Sequence, residues 1–90
     1  MSYTDITPEI KQAITDTLAN ELDAKPILII HMSNVPVDDY LYLYIAEQPN
    51  GYIAGLANAS GKEIGLYESH YRCTLREAME ITASKIKYYL

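Results

Sequence analysis

His70-Tyr71-Arg72-Cys73 is the run in this chain that brings a nucleophile, a base and a cation within four residues. A cysteine beside an arginine, just ahead of a helix, would ionise more easily than usual, and His70 could then approach it as a base. The plainer reading is that Cys73 is a small, partly buried residue at a strand-to-helix junction. A metal centre would need His31 or Glu68 to converge on the same spot, and one H-x-x-C pair is a thin ligand set. No metal or cofactor is expected. Phosphate loops fail on spacing, because five residues instead of four separate Gly55 from Gly61-Lys62, and Glu63 stands where a magnesium-holding Ser or Thr belongs. Ser84-Lys85-Ile86-Lys87 has an S-x-x-K pattern without the rest of that machinery. With two histidines and no paired pocket carboxylates, the chain is expected not to be an enzyme.

The tyrosines are the stronger signal. There are nine, with no Phe and no Trp. Tyr40-Leu41-Tyr42-Leu43-Tyr44-Ile45 alternates with a period of two, which predicts Leu41, Leu43 and Ile45 on one sheet face and Tyr40, Tyr42 and Tyr44 on the other. Tyr67 is expected to join them from a later strand. If the leucine face lies under helices, the tyrosine face meets solvent, either as a self-supporting sheet surface or as a recognition surface. Stacking of nucleic-acid bases is disfavoured by the neighbouring Asp38, Asp39 and Glu47. Asp16 and Asp23 add an acidic stripe on the first helix, in its C-terminal half, where the helix dipole disfavours anions. The expected partner-binding set therefore joins Tyr40, Tyr42, Tyr44 and Tyr67 with Asp16, Asp23, Asp38 and Asp39.

These residues need elements to hold them. Thr7-Pro8-Glu9 opens a helix over residues 8–23, with Ile10, Ala13, Ile14, Leu18 and Leu22 on one side and acids on the other. Pro26 ends it. Ile27 to Met32 is a continuous apolar run and predicts a strand covered on nearly both faces. After a loop over residues 33–39 comes the tyrosine strand, then a turn at Gln48-Pro49-Asn50-Gly51 and a strand from Tyr52 to Ala57. Ala59-Ser60-Gly61 turns the chain into a fourth strand, Glu63 to Ser69. Thr74-Leu75-Arg76-Glu77 is a capping box that starts a helix reaching the C-terminus. Its expected buried stripe is Leu75, Ala78, Met79, Thr82, Ala83, Ile86 and Leu90. Ile81 and Tyr88 fall off that stripe and are expected as sheet margins or as contacts with a second copy. Sheet edges are the other route to a homodimer.

The chain is thus expected to be a single α+β domain over residues 1–90. Its order is α-β-β-β-β-α, a four-stranded, mainly antiparallel sheet with two helices packed on one face. Ninety residues and a hydrophobic fraction of 49% suit one core and exclude a two-domain enzyme. One cysteine allows no internal disulfide, Met1-Ser2-Tyr3-Thr4-Asp5 lacks a secretory pattern, and the longest apolar run is far short of a membrane span. A cytoplasmic location is expected. The net charge of −5 hides a division: residues 1–50 carry −6 and residues 51–90 carry +1. An acidic half repels phosphate backbones and attracts basic surfaces.

The function expected from this is a non-catalytic protein-binding module. It fits a small acidic inhibitor or accessory protein of the phage or mobile-element type, such as an anti-restriction or anti-CRISPR inhibitor, docking on a basic, nucleic-acid-binding partner. The order of elements resembles the double-stranded-RNA-binding domain in topology, which implies the alternative: nucleic-acid binding through Arg72, Arg76, Lys85 and Lys87. Such domains rely on a basic cluster at the start of the last helix. Here Glu77 and Glu80 nearly cancel Arg72 and Arg76, and the likeness assigns no family.

Overall fold

The computed structural model describes residues 8–32, 40–60 and 63–89, with the side chains of Tyr40, Leu41, Ser60, Tyr88 and Tyr89 outside that description. The element order is α1 (Pro8–Leu22), β1 (Lys25–His31), β2 (Tyr40–Gln48), β3 (Gly51–Ser60), β4 (Glu63–Cys73) and α2 (Leu75–Tyr89). The four strands form one open antiparallel sheet in the order β1-β2-β3-β4. That is the expected α+β succession.

The placing of the helices differs from expectation, because they cover opposite faces of the sheet. The register sets Tyr42 opposite Ala57, Tyr44 opposite Gly55 and Ala46 opposite Ile53, and continues from Ala57 to Leu66 on β4. This row, with Ile64, Ala59 and Ile29, packs against Ile14 and Leu18 of α1. The alternate row holds Leu43, Ile45, Ala54 and Leu56, and it packs against Ala78, Ile81 and Ile86 of α2. Both rows are apolar enough to need a cover, and one helix serves each. Among the described residues, no helix is long and apolar enough to cross a membrane.

Each connection has a local cause. Asp23 adopts a left-handed φ of 51°, and the amide of Ala24 then donates to the Leu18 carbonyl at 3.2 Å. The side-chain amide of Gln48 donates to the Leu22 carbonyl at 2.5 Å, so the β2–β3 turn helps satisfy the open end of α1. Gly51, at φ 150°, closes that turn against β4, where a Cβ would lie 3.2 Å from the Cys73 carbonyl oxygen. The capping box forms as expected: Glu77 N–H donates to Thr74 Oγ1 at 3.0 Å, and Thr74 N–H donates to Glu77 Oε1 at 2.8 Å.

All four strands depart from their expected form: β2 runs on to Gln48, and β3 covers Gly51–Ser60, so that Ala59 and Ser60 pair with Ile64 and Glu63 instead of turning. β1 is less covered than expected: among the described residues it pairs with β2 alone, Ile27 sits at a register shift and, with Leu28, stays exposed, and Ile29 and Ile30 are half-buried. β4 continues past Ser69 to Cys73 through two register shifts, where Glu68 and Arg72 take φ of 52° and 57°. Such bulges bend the strand over the sheet and break the regular edge.

Candidate functional site

Tyr42 and Tyr44 do not form a solvent-facing surface. They are 1% and 0% exposed and lie beneath α1. The Tyr44 ring crosses β3 above Gly55, and its hydroxyl hydrogen-bonds Ser69 Oγ on β4 at 2.7 Å. A Cβ on Gly55 would come within 2.8 Å of that hydroxyl, so the glycine makes room for the crossing. Burial pushes the Tyr44 hydroxyl above its ordinary value, the Ser69 bond works against this, and Tyr71 adds to it. Tyr42 stacks on His31 of β1, with ring centroids 4.9 Å apart. Tyr67 sits opposite Leu56 on the α2 side, 39% exposed, and therefore on the other face from Tyr42 and Tyr44. The shared tyrosine surface is thereby overturned: the register places Ile64 and Leu66, not Tyr67, beside Tyr42 and Tyr44. The Tyr40 side chain, Asp38 and Asp39 lie outside the described residues.

Asp16 and Asp23 are exposed as expected. Asp16 accepts from Gln12 at 2.8 Å, one turn away. Asp23 lines an open cleft of about 410 Å³ between the C-terminal end of α1 and the β2–β3 turn, together with Lys25, Glu47, Gln48 and others. Glu21 is exposed nearby in the chain, and among the described residues none of these carboxylates is held in a salt bridge. The helix end itself is the negative pole of α1. Asp23 and Glu47 thus bring two carboxylates to a concave spot beside the negative helix pole, and with Lys25 on the same lining the charge left over there is negative. Glu47 and Gln48 entered no expected site; their signal was only that they precede a turn whose other side the α1 end must meet.

No family model, curated protein or solved structure matches this chain.

Cys73 lacks the environment of an activated thiol. Its Sγ lies 3.4 Å from the His70 carbonyl oxygen and 3.8 Å from that of Tyr71. Burial pushes the thiol up, and the Glu77 carboxylate pushes it further. The capping-box glutamate thus opposes the thiolate that Arg72 and the helix start were expected to favour. Among the described residues no group of three His, Cys, Asp or Glu side chains could hold a metal ion. On the basic side, Arg72, Arg76 and Lys87 are exposed, whereas Lys85 is tied to Glu68 at 2.8 Å. Ile81 packs with Ile45, Ala54 and Ala78 at the margin of the core, the first of its two expected placements. The Tyr88 side chain lies outside the described residues.

Proposed function

We propose that this chain is a non-catalytic protein-binding module that docks on a basic partner through the C-terminal end of α1. The observation that carries this reading is the gathering of Asp23, Glu47 and the α1 dipole's negative pole at one open cleft, where they outweigh Lys25 on the same lining, with Asp16 and Glu21 exposed on the preceding helix. A helix optimised only for stability would place cations at this end. A cleft with two carboxylates against one lysine suits an arginine or lysine side chain of a partner, and the acidic residues of α1 nearby speed encounter with a basic surface. A basic groove that normally holds nucleic acid is the kind of surface it fits. The chain would then act as an inhibitor or accessory protein of the phage or mobile-element type, working in the cytoplasm.

The test is capture from the native host with Asp16→Lys/Asp23→Lys as the control. The wild-type chain should retain a basic protein, more weakly as salt rises, and the charge-reversed chain should lose it while keeping its circular dichroism. Undiminished capture by the charge-reversed chain would remove this surface from consideration. Binding of labelled RNA or DNA at low salt would favour the nucleic-acid reading instead. Substituting Tyr42 or Tyr44 tests nothing about docking, because both are core residues.

A further inference from the structure

Leu75, Met79 and Ala83 succeed one another at four-residue steps along α2, on a flank that the sheet leaves uncovered. Leu75 and Met79 keep 41% and 57% of their surface in water. Alongside them run Arg76 and Glu80, also four residues apart and both exposed, and the five side chains line one shallow groove. Among the described residues neither Arg76 nor Glu80 is in an ion pair; the ion pair that α2 makes is Lys85 with Glu68.

We propose that this flank is the contact between two copies of the chain, α2 packing antiparallel on α2 about a two-fold axis near Glu77 and Ala78. Turning a helix end for end exchanges the order within each four-residue pair. Leu75 of one copy then meets Met79 of the other, and Arg76 of one meets Glu80 of the other, each contact occurring twice. The two pairs share one axis because their midpoints differ by a single residue, about 1.5 Å along the helix. An isologous contact demands this self-complementarity, and it is what favours a second copy over an unrelated apolar helix. Ala83 is small enough to let the helices approach. The acidic outer side of α1 lies across the sheet, so dimerisation does not bring two acidic helices together. The contact is also separate from the cleft at the α1 end, so either surface can fail without the other.

The mass of the full chain, measured by light scattering and sedimentation over a wide concentration range, decides. The wild type should be a concentration-dependent dimer, and Met79→Lys should be monomeric with unchanged circular dichroism. Arg76→Glu and Glu80→Arg should each weaken the dimer by about tenfold, since each turns two attractive contacts repulsive. The double variant Arg76→Glu/Glu80→Arg should regain wild-type affinity, and an equimolar mixture of the two single variants should form a heterodimer. A wild type that stays monomeric throughout overturns the proposal. So does a dimer indifferent to Met79→Lys and to both charge reversals, or one broken instead by Leu28→Lys, which would assign the contact to the β1 edge.

Discussion

Tyr44 does two things that a phenylalanine could not combine: its ring fills the space over Gly55, and its hydroxyl ties β2 to Ser69 on β4. Tyr44→Phe should therefore cost about 0.5–1.5 kcal/mol at neutral pH, read from urea unfolding, by stranding the serine hydroxyl. The same residue makes stability sensitive to alkali. Its proton is held more tightly in the folded chain than in the unfolded one, where it leaves near pH 10, so its contribution is intact below about pH 10 and is lost as pH rises through the raised value. The phenylalanine variant should show a shallower alkaline loss of stability, and an equal loss in both chains would refute that assignment. The alternation that put Tyr42 and Tyr44 on one face was legible from their spacing. That both faces would be covered was not, because a period of two fixes only that neighbours point apart and says nothing of how many faces carry a helix. In a chain without Phe or Trp, tyrosine also serves as the large core residue.

At the level of elements, the start of α2 was the most legible feature, since a capping box is local chemistry confined to four residues. Thr74→Ala should cost about 0.5–2 kcal/mol in thermal or urea unfolding by releasing the Glu77 amide from its acceptor. The rotation of that helix was less legible. Leu75, Met79 and Ala83 read as buried on periodicity, yet the sheet takes Ala78, Ile81, Thr82 and Ile86, with Lys85 half-buried and reaching out to Glu68. A lysine can lay its stem along apolar surface, so polarity alone does not bar it from a packed flank. The extension of β4 was hidden for a different reason. Its bulges place Glu68 and Arg72 at positive φ without the glycine that would announce such backbone. The candidate cleft shows a similar limit: Asp23 was marked by its place on α1, but Glu47 reaches the site only through the turn that Gln48 ties to the helix end.

Across the whole molecule, strand order follows chain order, so every sheet pairing joins neighbours along the sequence. The charge division of the sequence keeps its meaning in three dimensions, with the acidic α1 on one side of the sheet and the mixed-charge α2 on the other. Because the two helices share no face, each protects its own row of side chains, and among the described residues β2 and β3 are the strands that contribute buried residues to both rows. Amide exchange should register this directly: the central residues of β2 and β3 should open only with global unfolding, while β1, which among the described residues pairs on one side alone, should exchange through cheaper local fluctuations. If β1 amides were as protected as those of β3, the edge would have to be covered in solution. Two helices docked on opposite sides of a meander also make the central hairpin a shared hinge of cooperativity. Loosening α1 leaves α2 a surface to hold, so the molecule has a route to partial opening on the acidic side that does not require the rest to unfold.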